Sequence, residues 1–194
     1  MDFHENIKIY LAEATLLKKE LSENKDFINS VNAVVGILAG CFGSGRKVLI
    51  AGNGGSAAEA QHFATEIVSG YKVFNRKGYP AIALTTDTST LTAWSNDHGF
   101  DTVFARKVEA LGQAGDVFVG ISTSGNSRNI IQAVYRAKEM SIKTVCFLGK
   151  DGGGLRGIAD YSIVVPSHNV PRIQETHMLL THMICEELEK TTLV

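Results

Sequence analysis

The stretch KVLIAGNGGSAAEAQHFATEI, residues 47–67, decides the fold. It begins with a short apolar run, KVLIAG, and continues through glycines and a serine into an alanine-rich segment of helical composition. A strand that ends in a glycine turn and leads into a helix is the first half of a βαβ unit. The run is continuously apolar rather than alternating, which predicts a strand covered on both faces.

Four later runs repeat this pattern. They are AIALTT (81–86), DVFVGIS (116–122), KTVCFLG (143–149) and YSIVVP (161–166). Helical spacing of apolar residues over 3–21 and 26–41 predicts two helices before the first strand. We therefore expect an α/β fold, a three-layer αβα sandwich with a five-stranded parallel sheet preceded by N-terminal helices. Its ligand loops should share one rim at the carboxyl ends of the strands; they are 52–56, 86–97, 122–127 and 149–154.

The bulk properties restrict the kind of partner. The chain has 194 residues, a formal net charge of −1 and three cysteines without a CxxC pair. This predicts one domain, 1–194, with buried reduced thiols and no nucleic-acid or membrane surface. No basic apolar leader and no segment of roughly 18 apolar residues is apparent, so a cytoplasmic protein with a small-molecule ligand is expected.

The first glycine loop admits three interpretations. Backbone N–H groups at a helix start, which glycine leaves accessible, favour a bound phosphate. Gly52, Gly54 and Ala57 also satisfy the loose dinucleotide pattern GxGxxA, with Asp87 as a late candidate for the ribose-binding acid. The third interpretation is a tight turn in which Ser56 is the N-cap of the helix.

A second loop, GISTSGNSRN (120–129), follows the third predicted strand. Its hydroxyl groups exceed what helix capping requires, and neutral donors at a helix start suit a phosphate that must be released. The alternative is a polar loop with an N-cap. Two such loops are not expected in a dinucleotide fold, where the first turn alone carries the fingerprint.

His62 and Glu66 are four residues apart on the predicted helix and therefore share one face. Imidazole and carboxylate are common zinc ligands, and further ligands could come from Gln174 and His182 on the C-terminal helix. Eight residues of helix rise about 12 Å, so Gln174 either lies in an unwound helix start or comes from a different subunit. The remaining polar residues are expected on the surface or satisfied in the core; they are His98, His168, His177, and the solvated face of Asp101, Arg106, Lys107 and Glu109.

Six linked motifs then carry a family resemblance. GNGGS, QHFATE, SNDHGF, GISTSGNS, GKDGG and RIQETHMLLTH, in this order and at these separations, resemble the sugar-isomerase (SIS) domain family from Phe3 to the C-terminus. The resemblance implies a homotetramer with active sites at subunit interfaces, the N-terminal helices 3–42 in oligomer contacts, and a divalent metal, usually zinc. Within the family the motifs are most similar to the branch that isomerises sedoheptulose 7-phosphate.

The resemblance also implies residue roles, carried over by position. Glu66 and His182 would be catalytic, and the metal ligands would be His62, Glu66, Gln174 and His182. The substrate would bind to Asn53, Gly54, Gly55, Ser56, Glu66, Asn96, Asp97, Ser122, Thr123, Ser124, Ser127 and Gln174. Thr65 stands where the isomerases often have a second acid, a tolerable change because Thr65 would face away from Glu66.

The implied activity is interconversion of a 2-ketose phosphate, sedoheptulose 7-phosphate, and its aldose through an enediol, for surface heptose synthesis. Two other classes remain open at this point. One is a non-catalytic tetramer that binds a sugar phosphate or the replication initiator, as a relative does that shares the histidine but lacks the glutamate at position 66. The other is a nicotinamide oxidoreductase.

Overall fold

The computed structural model describes residues 3–192 of the chain. Its helices are α1 Phe3–Glu23, α2 Lys25–Gly43, α3 Gly55–Ser69, α4 Thr88–His98, α5 Val103–Leu111, α6 Arg128–Glu139, α7 Gly153–Ile158 and α8 Val170–Thr192. Its strands are β1 Val48–Gly52, β2 Ala81–Ala83, β3 Val117–Ser122, β4 Lys143–Gly149 and β5 Tyr161–Val165. A single 3₁₀ turn, Phe100–Thr102, joins α4 to α5. The two N-terminal helices and five strands are confirmed.

The sheet is parallel throughout, with strand order β2-β1-β3-β4-β5. Successive residues of each central strand enter opposite cores. Val48 and Ile50 pack with α2, α3 and α8 on one face, whereas Leu49 and Ala51 pack with α5 and α6 on the other. The predicted three-layer sandwich is confirmed, and α3 and α8 are neighbours in the same layer.

The burial of each strand shows where the prediction of two covered faces is correct. Every residue of β1 and β3 is buried, as the prediction of two covered faces requires. The edge strands differ, because β2 is only three residues long with Ile82 exposed, and β5 begins with the exposed Tyr161. Beyond β2, the Thr86 hydroxyl donates back to the Ala83 carbonyl, so the chain turns before the predicted end of the strand.

The prediction of a loop over 86–97 is wrong, since most of this segment is helix α4. Asp87 is its N-cap and accepts a hydrogen bond from the Thr90 N–H at 3.1 Å. The candidate ribose-binding acid is thus used as a helix cap. Lys107 was expected on a solvated face, but it is 6% exposed and its ammonium lies 3.6 Å from the Asp87 carboxylate.

The N-terminal helices are covered to very different extents. Helix α1 buries only Leu21 and exposes several large apolar side chains, including Phe3, Leu11 and Leu16. Helix α2 is the one described helix whose length and composition would allow it to cross a membrane, but one side of it packs in the core through Val31, Val34, Val35, Leu38, Cys41 and Phe42. The three cysteines are buried and free, as expected.

Candidate active site

Helices α3 and α8 lie side by side and run in the same direction, and their facing residues form a regular series. Gly55 faces Gln174 at the carboxyl-end rim of the sheet. One turn further along, Glu59 faces His177, and beyond them His62 meets His182. Two residues that are 120 positions apart in sequence are therefore brought together because α8 packs back over β4 and beside α3.

The convergence of His62, Glu66 and His182 is the most concentrated chemistry of the described residues. The two histidine Nε2 atoms are 2.9 Å apart, and His62 Nε2 lies 3.5 Å from Glu66 Oε1. One ligand atom from each of the three residues falls within 4.8 Å of the others. All three side chains are half-buried, so the cluster is reachable from solvent.

The donor set and its spacing fit a divalent metal ion. A tetrahedral zinc ion with bonds of about 2.0–2.1 Å has neighbouring ligand atoms about 3.3 Å apart. The observed separations of 2.9 and 3.5 Å bracket that value. His62, Glu66 and His182 therefore form a set of three that can hold a metal and leave a coordination position open, which is the pattern of catalytic rather than structural sites.

Gln174 lies away from this cluster within the subunit. It belongs to the regular part of α8, so the interpretation of an unwound helix start is wrong. Its side-chain amide packs on the α-carbon of Gly55, where a Cβ would overlap the amide nitrogen. A side chain at position 55 would displace the Gln174 amide from this place, and Gln174 occupies the rim rather than the metal set of its own subunit.

The glycine loop presents free backbone donors. Gly54 has φ +56° and is the N-cap of α3, so Ser56 is not the cap that one interpretation expected. Ser56 is buried, and its N–H donates to the Asn53 carbonyl at 3.0 Å. Within residues 3–192, the N–H groups of Gly54 and Gly55 make no hydrogen bond, and both residues are exposed. This arrangement suits an anion.

The second loop keeps its hydroxyls away from helix capping. Ser127 is the N-cap of α6, yet its hydroxyl makes no capping bond and instead lies 2.9 Å from the Ser122 hydroxyl. Thr123 and Ser124 are half-buried beside it. The loop is tied to the glycine loop by two amide hydrogen bonds of 2.9 Å, exchanged between Asn53 and the buried Asn129.

Three of the four predicted loops share the rim. The loop 149–154 joins the hydroxyl loop where the Gly154 N–H donates to the Asn126 side chain and the Leu155 N–H donates to the Gly125 carbonyl. Asn96 and Asp97, by contrast, are exposed at the far end of α4 and hydrogen-bond to each other at 2.8 Å. No described contact within the subunit connects them to the His/Glu cluster.

Glu59 and His177 form a buried pair beneath the cluster. His177 Nε2 lies 3.1 Å from the Leu148 carbonyl, which can only accept, so Nε2 carries the proton and the lone pair of Nδ1 faces Glu59 Oε2 at 4.0 Å. Burial raises the pKa of Glu59 to about 7, against the effect of the nearby Ser56 hydroxyl. Burial likewise lowers the pKa of His177 to about 4. His177 was expected on the surface or satisfied in the core; it is buried, but its Nδ1 has no hydrogen-bond partner among the described residues. The raised pKa of Glu59 and the lowered pKa of His177 both favour the uncharged form, so the pair is neutral between a pH of about 4 and about 7.

This pair yields a prediction on stability. A folded pKa of about 7 for Glu59, against an ordinary value of 4.5, means that stability falls as the pH rises from about 4.5 to 7 and stays reduced above that window. Glu59→Gln should therefore raise the free energy of unfolding at pH 8 by about 1–3 kcal/mol. The gain should vanish near pH 4.5. Urea unfolding at both pH values measures it, with the exposed Glu23→Gln as control. A loss of stability at pH 8 would contradict the raised pKa of Glu59.

Sequence reasoning missed four residues that shape the site. They are Tyr71, Arg76, Asn129 and Glu189. Glu189 carried a detectable signal, because it stands four residues after the buried Cys185 and one after the buried Leu188, on the apolar stripe of α8. A charged residue on such a stripe needs a buried partner. Tyr71 lies in an irregular segment and had no periodic signal.

Comparisons with known proteins agree with this geometry. The family model described as SIS domain matches residues 9–149. The phosphoheptose isomerase of Sulfurimonas denitrificans is 49% identical over 184 residues, which cover 95% of this chain and 94% of that protein.

Solved structures extend the agreement to the fold. The phosphoheptose isomerase of Neisseria gonorrhoeae superimposes with a TM-score of 0.91 at 41% identity, covering 97% of this chain and 99% of the other. That of Francisella tularensis superimposes with a TM-score of 0.93 at 34% identity, covering 98% and 100%. Both likenesses extend over the whole fold, including α3 and α8.

Proposed function

The chain belongs to the SIS domain family and, within it, to the phosphoheptose isomerases, and from that premise we propose that it interconverts sedoheptulose 7-phosphate and D-glycero-D-manno-heptose 7-phosphate. The observation that carries the proposal is the meeting of Glu66 with His182, since a carboxylate that moves the carbon-bound proton and an imidazole that moves the oxygen-bound protons must reach the same substrate. The product would enter the synthesis of surface heptose in the cytoplasm.

Glu66 is assigned as the base. Aldose–ketose isomerisation removes a proton from one carbon, passes through an enediol, and returns a proton to the neighbouring carbon. The Glu66 side chain is 19% exposed, so it can reach a bound sugar while most water is kept away. It takes the proton from the carbon next to the carbonyl and returns it to the adjacent carbon.

His182 is assigned as the group that moves protons between the substrate oxygens. Its Nε2 lies 2.9 Å from His62 Nε2, and an imidazole nitrogen that is not bound to a metal at that moment can accept a proton from one oxygen and give it to the other. A zinc ion held by His62, Glu66 and His182 would act as a Lewis acid on the carbonyl and hydroxyl oxygens. His62 then serves to hold the metal and not to transfer a proton.

The rim is assigned to the phosphate end of the substrate. The free N–H groups of Gly54 and Gly55 and the hydroxyls of the second loop are neutral donors, which bind a phosphate without trapping it. The Asn53–Asn129 pair fixes the two loops relative to each other. Asn96 and Asp97 bind sugar hydroxyls in this proposal.

The spacing along α3 favours active sites built from two subunits. His62 and Glu66 lie seven and eleven residues beyond Gly55, a rise of about 10 and 16 Å. A substrate held at the rim of one subunit would reach the cluster of a neighbour more directly than the cluster behind its own rim. Gln174 would complete the metal set of that neighbour. The apolar exterior of α1 supplies a contact surface for the homotetramer.

Proton exchange with solvent tests the proposal. Protein incubated with sedoheptulose 7-phosphate in D₂O should form the aldose and incorporate deuterium at the carbons that exchange protons, both followed by NMR. Chelator treatment should lower the rate at least about tenfold, because a Lewis acid contributes several kcal/mol to such a step. Added Zn²⁺ should restore it.

The outcomes separate the classes of function. Saturable binding of the sugar phosphate with neither deuterium uptake nor aldose would indicate a non-catalytic regulator. Full activity after metal depletion verified by elemental analysis would refute the metal role but leave the isomerase assignment intact. Size-exclusion chromatography with light scattering tests the tetramer independently.

A further inference from the structure

The segment between α3 and β2 folds back over His182. We call residues 70–76 the cover loop. Its Tyr71 ring is half-buried and stacks on the His182 imidazole, with ring centroids 5.3 Å apart and an interplanar angle of 21°. The imidazole therefore has one face against Tyr71 while its Nε2 edge points to His62.

The cover loop is anchored by a buried carboxylate. Glu189, near the end of α8, accepts hydrogen bonds from the consecutive N–H groups of Tyr71, Lys72 and Val73 at 2.8, 3.0 and 3.1 Å. Three successive backbone donors on one carboxylate fix the path of the chain at Tyr71. Irregular backbone without such an acceptor would be free to move.

Arg76 connects the cover loop to α3 as well. Its Nε donates to Glu189 at 3.0 Å, and its Nη2 donates to the carbonyls of Glu66 and Ile67 at 3.0 and 2.9 Å. The guanidinium also lies over the Tyr79 ring, 4.8 Å from its centroid. The cover loop is thereby tied to α3 at the residue that bears the proposed base, and to α8 seven residues beyond His182.

We propose that Tyr71 is a positioning residue for His182. The flat ring restricts rotation of the imidazole and holds Nε2 toward His62 and Glu66, whether the nitrogen transfers a proton or holds a metal. The inference rests on the proposed function of His182. It assigns the effect to the Tyr71 ring and not to its hydroxyl, since stacking is the contact that Tyr71 makes with the imidazole.

Three substitutions test this assignment. Tyr71→Leu and Tyr71→Met remove the flat ring but keep apolar volume, whereas Tyr71→Phe keeps the ring. We expect the first two to lower kcat about 3–10-fold, with KM within about twofold. This is the factor by which one aromatic contact can favour the aligned orientation of the imidazole over its other orientations. Tyr71→Phe should keep the wild-type kcat. The exposed Tyr135→Leu on α6 is the matched control and should leave kcat unchanged.

A second readout is independent of turnover. Metal-depleted protein titrated with Co²⁺ reports the affinity of the cluster through visible absorption, and Tyr71→Leu should weaken it about 3–10-fold while Tyr71→Phe does not. Unchanged kcat and cobalt affinity in both ring-less variants would overturn the inference, and so would a Phe variant as impaired as the Leu variant. Full activity of His182→Gln would instead refute the proposed function.

Discussion

Glu66→Gln is expected to lower kcat by at least about 10²-fold, because removal of a general base typically costs 10²–10⁴-fold. The amide has nearly the shape of the carboxylate, but it cannot accept the proton from the substrate carbon. Glu66 lies within 4.8 Å of His182 and is 19% exposed, so the substitution does not disturb the apolar core. The measurement is the steady-state rate of aldose formation, with Tm recorded in parallel.

Two controls distinguish loss of the base from other causes of a lower kcat. The matched control is Glu139→Gln on α6, an exposed glutamate that pairs with Arg136 at the surface, and it should retain wild-type kcat. The zinc content of Glu66→Gln must be measured, because Glu66 is also a proposed metal ligand. Near-normal turnover in Glu66→Gln with full metal would remove Glu66 from the role of base.

Much of the fold could be predicted because the central strands are buried on both faces. The runs at β1, β3 and, after Thr144, β4 are almost entirely apolar, which is the pattern that two covering layers impose. Helix α4 was missed because it buries no residue and so had no apolar period. Its N-cap, Asp87, was visible in the sequence, but a cap alone does not distinguish a helix from a turn.

The candidate site was likewise predictable where local spacing determines it and not where long-range packing does. His62 and Glu66 could be paired from sequence because helical spacing places them on one face. Their meeting with His182 required the packing of α8 over β4 and beside α3, which is a long-range property. Lys107 was wrongly placed on the surface, although it stands between the buried Phe104 and Val108 on one stripe of α5.

The facing residues of α3 and α8 make a different kind of contact at each level of the helix pair. At the rim, Gly55 and Gln174 are in direct contact, and in the middle Glu59 and His177 form a buried pair. The cluster of His62, Glu66 and His182 follows, to which the proposed metal and proton chemistry is assigned, and the cover loop ends the series at Glu189. Each contact depends on the two helices keeping one register, so we expect the anchor at Glu189 to matter for the cluster that lies next to it.

Glu189→Gln is expected to lower the free energy of unfolding by about 3–5 kcal/mol at pH 7, the usual cost of breaking a buried ion pair by removing one partner. The side chains of Arg76 and Glu189 are 5% and 4% exposed, so the substitution leaves a guanidinium without its counter-charge in the interior. It also deprives the cover-loop N–H groups of a charged acceptor. Urea unfolding at fixed protein concentration measures the change.

The pH dependence of this difference has a defined sign. Burial would raise the pKa of Glu189, but the Tyr71 N–H, Arg76 and the next two backbone donors outweigh it and hold the pKa below the ordinary 4.5. The carboxylate therefore contributes fully above pH 4.5 and loses its contribution as the pH falls through the lowered pKa, so wild type and variant should converge in acid. Glu187→Gln, a half-exposed partner of Lys190, should cost less than about 1 kcal/mol at any pH. If both substitutions cost the same, the buried carboxylate does not anchor the loop.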